Sequence, residues 1–280
     1  MARQRAHATA AETAPTPDLR IVPVAALRPH EDHDSQRALP LLERLRSAEV
    51  FTNPVIAAPI DGSSDLVVLD GSNRVYCFTE LGLPHILVQV VEYDTPWLEL
   101  GVWNHVVSDL SCDGLLLLVG GLEGVAVGSD AAERPLATLV KTDGARHVLV
   151  AATSSIRDRR ALLREVVHLY QQRGTLNRTA HSDPVQAFTD FPDAAFAVLF
   201  PLFSPAEIIE AAVTGAYLPP GISRHIVHGR AVKLDYPLSA LRDPDQSLDA
   251  KNAALQGWMH RKFANRGVRY YAESTYHFDE

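Results

Sequence analysis

Apolar positions in the first hundred residues switch between short continuous runs and helically spaced ones. Residues 19–24, LRIVPV, read as a first strand, and 55–59 and 66–69 as two more. Between them Leu39, Leu42 and Leu45 recur at helical spacing, and Asp34 or Ser35 stands where that helix needs a cap. Asp61-Gly62 marks a hairpin-like turn into the apolar run Leu66-Val67-Val68-Leu69. That run stops at Asp70-Gly71, and a helical pattern begins at once with Ser72-Asn73-Arg74 and closes at Gly82. Residues 86–91 supply another strand. Together these elements predict one α/β unit of about 75 residues, ordinary for a small domain.

Beyond Tyr93 the pattern changes. A tryptophan-bearing stretch, 97–105, leads to an apolar helix or strand near Leu115. Residues 136–141 and 146–152 pair around the turn Thr142-Asp143-Gly144-Ala145. Ser154 or Ser155 opens a helix whose buried side is Ile156, Leu162, Leu163, Val166, Val167 and Tyr170, with Gly174 ending it. Residues 194–200 are strand-like. Ser204-Pro205-Ala206-Glu207 has an N-cap, a proline at N1 and a glutamate at N3, and Gly215 stops that helix. Residues 218–230, LPPGISRHIVHGR, read as a donor-rich loop before a strand at 232–236. A last helix, 248–265, precedes a tyrosine-rich terminal strand.

Composition narrows the class. The 280 residues are 46% hydrophobic and 21% charged, as in an ordinary soluble globular protein. A net charge of −8, from 26 basic and 34 acidic residues, disfavours broad nonspecific nucleic-acid binding. Cys77 and Cys112 match no zinc or disulfide spacing, so a reducing, cytoplasmic setting is expected. No apolar run approaches the roughly 20 residues that span a bilayer. Residues 1–18 lack the apolar core of a secretory signal and read as a disordered leader. The expected organisation is therefore that leader, a first unit at 19–95 and a second mixed α/β unit at 96–280.

The junction Leu69-Asp70-Gly71-Ser72-Asn73-Arg74 carries the strongest chemical signal. A strand, a glycine turn and a helix N-terminus aim unpaired N–H groups and the positive end of the helix dipole at one spot, which suits phosphate. Asp70 adds a carboxylate for a cation or a hydroxyl, and Arg74 a planar donor fork. The turn is no Walker loop, since no Gly-Lys-Ser/Thr follows, and a single glycine makes no dinucleotide fingerprint. Pro29-His30-Glu31-Asp32-His33-Asp34 gathers five titratable groups, yet its spacing fits a solvated, helix-capping loop better than a metal site. Glu31 gains meaning beside the Asp70 turn, as a base facing a bound phosphate. Trp103-Asn104-His105 offers aromatic and amide groups for a small polar substrate, although a lone tryptophan more often packs in a core. Ser223-Arg224-His225, with His228 and Arg230, brings several donors into one loop that Pro219-Pro220-Gly221 would stiffen.

Three segments in order, ALRPHED at 26–32, NPVIA at 53–57 with LDGSNR at 69–74, and LPPGISRHIVHGR at 218–230, resemble one family. It is the free serine kinases of the ParB/sulfiredoxin-like superfamily, which includes a member from a staphyloferrin-B siderophore cluster. The resemblance implies a ParB/sulfiredoxin-like nucleotide-binding unit and phosphoryl transfer from ATP or ADP, with Mg²⁺, to free L-serine. It implies Glu31 as general base and Asp70 as the carboxylate that positions the hydroxyl or the metal. Gly71, Ser72, Asn73 and Arg74 would cradle the nucleotide phosphates. His30, Trp103 and His105 would line the amino-acid pocket, and Ser223, Arg224 and His225 would hold the substrate's phosphate or carboxylate. No metal ligand set follows from it.

This chain also departs from the family, which often has Asp-Gly-His-His-Arg where Ser72 and Asn73 stand here. Sulfiredoxins need a cysteine in that turn, and Ser72 occupies the place. ParB proteins have an arginine-rich turn and a helix-turn-helix domain, and neither is visible. A kinase for another small hydroxy amino acid or biosynthetic intermediate, or a nucleotide-responsive regulator, is the alternative reading.

Overall fold

The computed structural model describes residues 14–129 and 133–271. Its first part holds β1 (Asp18–Pro23), a 3-10 turn (Val24–Ala26), β2 (Leu27–Pro29), α1 (Ser35–Ser47), β3 (Val50–Phe51), β4 (Val55–Pro59), β5 (Leu66–Asp70), α2 (Ser72–Glu80) and β6 (His85–Val90). Then come β7 (Leu98–Val102), β8 (Asn104–Ser108), α3 (Cys112–Val119), β9 (Val125–Gly128), β10 (Ala137–Lys141), β11 (Arg146–Ala151) and α4 (Ile156–Gln171). β12 (Thr175–Thr179), α5 (Pro184–Asp190), β13 (Phe196–Leu199), α6 (Pro205–Thr214), β14 (Ser223–Val227), β15 (Tyr236–Pro237), α7 (Leu238–Arg242) and α8 (Leu248–Ala264) complete it. The expected leader falls largely outside the described residues, as does most of the expected terminal strand.

The first sheet has the order β1-β6-β4-β5-β2, with β4/β6 and β2/β5 parallel and β1/β6 and β4/β5 antiparallel. Its central strands are buried on both faces. Val55, Ala57 and Val68 face one core, while Ile56, Ala58, Val67 and Leu69 face the other. That double burial is why β4 and β5 read as unbroken apolar runs rather than alternating ones. A bulge between Ile56 and Ala57 shifts the register beside the end of β5. The second sheet is wholly antiparallel, in the order β12-β8-β13-β10-β11-β9, and packs on α3, α4 and α6. Each fully buried Leu or Phe, such as Leu87 or Phe78, stabilises by about 1.5–3 kcal/mol.

Several expectations meet a different outcome. Residues 223–227, expected in a loop, form β14 and pair antiparallel with β7. The strand expected at 232–236 is irregular chain, and only Tyr236–Pro237 pairs, with β3. Gly174 does not end α4, which stops at Gln171 with Gln172 as C-cap. Its role is close approach instead, since a Cβ there would lie 2.7 Å from the Ser108 carbonyl oxygen. The chain from Tyr236 onwards returns to the first core: Tyr236, Leu238, Leu241 and Leu255 pack with Leu19, Ile21 and Phe78. There Asn252 takes both backbone groups of Ile21, accepting from its N–H and donating to its carbonyl, each at 2.9 Å. Edge strand β1 is thereby covered rather than left open.

Candidate active site

β5 carries Asp70 out of the sheet, and α2 starts two residues later. Between them Gly71 adopts φ 113°, a left-handed conformation that favours glycine. Lacking a side chain, it cannot cap α2, so the first-turn N–H groups stay free of a side-chain partner. A Cβ on Gly71 would also meet the Arg74 guanidinium at 2.9 Å. Ser72 is buried, and its Oγ has no partner among the described residues. Asn73 accepts from the Asp34 N–H at 2.8 Å, which ties the loop after β2 to the N-terminus of α2.

Arg74, expected as a phosphate ligand, also holds the turn together. Its guanidinium donates to the carbonyls of Asn53 (2.9 Å) and Pro54 (2.5 Å) and to Asp70 Oδ2 (3.2 Å). Those bonds brace the turn, and they leave the Nε–H and one Nη2 hydrogen unused. Asp70 Oδ2 also accepts from Arg230. Burial alone would raise the Asp70 pKa, but Arg74 and Arg230 outweigh it, so the carboxyl sits below its usual range. Asp70 is therefore an anion at neutral pH.

Glu31 lies one residue beyond His30, after β2, and bridges to Leu218 in parallel. The backbone pairing continues through Leu218 N–H to the His30 carbonyl (3.0 Å) and Asp32 N–H to the Leu218 carbonyl (3.1 Å). This splint brings the segment 218–222 against the Glu31 loop. Gly221 N–H then donates to Glu31 Oε2 at 2.7 Å. Burial pushes the Glu31 carboxyl up to about 7, against the opposing pull of the Gly221 N–H and of Arg178. A carboxyl poised there can take a proton at neutral pH. The splint itself is held from behind: Arg157, Arg160 and Arg164 of α4 donate to the carbonyls of Thr214, Ala216 and Tyr217.

The buried histidines are neutral, and the tautomer of His30 can be assigned. His30 is fully buried, with Nδ1 2.6 Å from the Val68 carbonyl oxygen and Nε2 2.6 Å from Ser223 Oγ. A carbonyl only accepts, so Nδ1 carries the proton. Burial pushes the ring's pKa down to about 4, which leaves Nε2 bare. Ser223 must then donate its single hydroxyl proton to Nε2, and it offers other groups only lone pairs. This corrects the expectation of Ser223 as a donor to an anion. His225 stands edge-on to His30 at 5.5 Å and its Nε2 meets Tyr93 Oη at 2.9 Å. Its Nδ1 makes no well-formed hydrogen bond, although the Leu69 carbonyl lies near. Burial pushes its pKa down to about 3, so an imidazolium grip on an anion is not available from it.

Arg224 lies over the Trp103 ring, 4.5 Å from its centroid, and the Trp103 N–H donates to the Ile222 carbonyl at 2.9 Å. His105 does not line an open pocket: it is fully buried, with Nδ1 2.7 Å from Tyr170 Oη and its ring edge against Phe200. Its cross-strand neighbour is Arg178, whose charge acts on both His105 and Glu31. Arg178 was not legible beforehand, because the strand carrying it has no clear apolar pattern. Arg230 and Gly221 lie in the flagged segment 218–230, and only the fold shows which groups they meet. Cys77 is buried and donates to the Ala38 carbonyl at 3.4 Å, a packing role.

A cavity of about 570 Å³ opens between the Glu31 loop and α2. Glu31 and Ser72 both line it, with Val24, Leu27, Val75 and Tyr76 as its apolar wall. His33 stacks on Tyr76 there, with ring centroids 3.9 Å apart and planes 6° from parallel. Such a cleft has the size and lining of a small-ligand site. The buried side-chain polar atoms left unpartnered among the described residues are Ser72 Oγ, His105 Nε2 and His225 Nδ1, all on residues the sequence had singled out. Among the described residues no group of three or more His, Cys, Asp or Glu is placed to hold a metal ion, and no helix is long and apolar enough to cross a membrane.

No protein-family model matches the chain. In sequence it is similar to an ATP-dependent L-serine kinase of Staphylothermus marinus, 22% identical over 233 residues, covering 79% of this chain and 90% of that one. In structure it resembles a free serine kinase variant in complex with AMP, with a TM-score of 0.70 at 15% identity over 82% of this chain and 96% of the other. The fold is that of the free serine kinases. C-terminally truncated SbnI from Staphylococcus aureus shares this kinase fold, with a TM-score of 0.70 at 19% identity over 88% of this chain and 97% of that one. Both alignments run well past the first sheet, so the free serine kinase fold includes the second sheet that carries His105 and Arg178 as well as the strand–turn–helix of Asp70.

Proposed function

We propose that the protein is a kinase for free L-serine, forming O-phospho-L-serine with Mg²⁺ and ATP or ADP. The observation that carries this reading is that Glu31 and the uncapped N-terminus of α2 open on the same cavity. One end accepts phosphate and the other accepts a proton. The likeness to an ATP-dependent L-serine kinase supports serine as the acceptor.

In this reading the backbone N–H groups at Gly71, Ser72 and Asn73 face the nucleotide phosphates, with Arg74 as the brace that shapes the turn. The serine hydroxyl oxygen attacks the terminal phosphorus as its proton passes to the Glu31 carboxylate. The bond from that phosphorus to the bridging oxygen breaks, and the shortened nucleotide leaves with the electron pair. Arg224, held over Trp103, faces the carboxylate of the amino acid. Ser223, with only lone pairs to offer, accepts from its ammonium group, and His30 and His225 fix Ser223 and Tyr93 in place. Mg²⁺ would need few protein ligands, since such an ion usually keeps most of its waters. Asp70 Oδ1, without a hydrogen-bond partner among the described residues, would be the carboxylate oxygen the turn offers it. When bound, the ion neutralises charge on the phosphates.

The test is incubation with L-serine, Mg²⁺ and either ATP or ADP, followed by phosphorus NMR. Phosphoserine is expected with at least one nucleotide, and its absence with both would overturn the reading. Replacing serine by homoserine or threonine in the same assay decides the acceptor. Glu31→Gln is expected to lower kcat by about 10²-fold or more, and full activity in that variant would remove Glu31 as base.

A further inference from the structure

We infer that Arg178 is a positioning residue for Glu31: it holds the 220–221 peptide against the Glu31 carboxylate and keeps that carboxylate ready to accept a proton. The inference rests on the reading of Glu31 as base, and it names the part of the second unit that serves the first. Arg178 sits on β12, an edge strand of the second sheet, far in sequence from the Glu31 loop. Its Nη2 donates to the Pro220 carbonyl at 3.1 Å. Pro220 precedes Gly221, whose N–H is the donor to Glu31 Oε2 at 2.7 Å. One peptide is therefore gripped from two sides, by Arg178 on its carbonyl neighbour and by Glu31 on its N–H.

Gly221 shows how close this fit is. Its φ of 69° is left-handed, and a Cβ built on it would run into the Arg178 guanidinium. The glycine of Pro-Pro-Gly thus lets an arginine lie flat against the backbone. The charges around the pair are few. Glu31 faces Arg178 from β12 and Asp70 from the end of β5. Arg178 faces Glu31 and Asp34 as anions, Arg37 as a cation, and Tyr170 from α4. Arg74 and Arg230 are already engaged by Asp70, and among the described residues Arg178 is the cation that acts on Glu31. A nearby opposite charge and a hydrogen bond to the carboxylate both favour its charged form. Loss of Arg178 weakens both at once.

The experiment follows the Glu31 side-chain carboxyl by carbon-13 NMR across pH in the full-length protein without ligands, in wild type, Arg178→Lys and Arg178→Gln. The Glu31 midpoint is expected to move to higher pH in Arg178→Gln, and by less in Arg178→Lys, which keeps the charge but not the fork. If serine phosphorylation is found, the acid limb of kcat/KM should move in the same direction. The activity of Arg178→Gln would then fall about three-fold or more near pH 6 and recover above about pH 8. An unchanged or lowered Glu31 midpoint in folded Arg178→Gln, or in Arg178→Lys where the glutamine variant does not fold, would overturn the inference. The titration needs no turnover. Full activity of Glu31→Gln would sink the base assignment while leaving the Arg178 result standing.

Discussion

At the residue scale the site depends on which atoms still have something to offer. Arg74 and Ser223 both look like anion ligands in the sequence; Arg74 gives part of its fork to two carbonyls and Asp70, and Ser223 gives its proton to His30 Nε2. We predict that long-range nitrogen–proton NMR will show His30 as the Nδ1–H tautomer from about pH 5 to pH 8. An Nε2–H tautomer would reverse the assignment of Ser223 as an acceptor. We also predict that activity rises with pH through about 7, because the base is the carboxylate form of Glu31 and its carboxyl is pushed up to about 7. A pH–rate profile with a flat acid limb down to about pH 5 would contradict it. Gly71→Ala should disturb the turn, since φ is 113° and the new Cβ would crowd Arg74. The expected result is a loss of nucleotide affinity together with about 1–2 kcal/mol of stability, read by titration and by urea melts.

At the element scale the strands and helices that the sequence made clear are those whose signals are local. Asp34, Ser155, Ser204 and Ser247 each cap the helix that follows, and Ser204 with Glu207 forms the full capping box. The apolar runs of β4 and β5 needed no partner to be recognised. β12 and β14 were not recognised because TLNRT and SRHIV carry no clear apolar alternation and their pairing partners, β8 and β7, lie far away in sequence. Those two strands hold Arg178, Ser223 and His225. α8 is a clear helix in the sequence, yet its destination was not: it seals β1 through Asn252. We predict that Asn252→Leu costs about 1–3 kcal/mol, measured by denaturant unfolding, because two backbone groups of an edge strand lose their partner. A change within about 0.5 kcal/mol would show that water replaces Asn252 at that edge.

At the scale of the whole molecule the active region is assembled from parts that share no local sequence. Glu31 comes from the first sheet, Gly221 from the segment braced by α4, and Arg178 from the far edge of the second sheet. The same assembly buries three histidines whose pKa values are pushed down, His30 to about 4 and His105 and His225 to about 3. Below about pH 6.5 the unfolded chain binds protons at these rings that the folded chain refuses. These rings therefore contribute stability that is full above that pH and falls as pH drops towards about 4, on the order of 3 kcal/mol for His30 alone, while Glu31, its carboxyl pushed up to about 7, contributes in the opposite sense between about pH 4.5 and pH 7. Thermal melts from about pH 7 to pH 4.5 should show a steep fall in Tm, and His225→Phe should flatten part of it. A pH-independent Tm over that range would contradict the burial of neutral rings.

The sequence by itself determined the local events: the strand–glycine–helix turn at Asp70, the caps, the doubly buried strands and the three segments that resemble a serine kinase family. These are set by neighbours within a few residues, where backbone preference and periodicity act. Tertiary structure alone decided which donors are free and which are spent, because a hydrogen bond to a carbonyl twenty or two hundred residues away leaves no trace in spacing. That is why the bracing bonds of Arg74 could not be read beforehand, and why Arg178, silent in the sequence, stands beside Glu31.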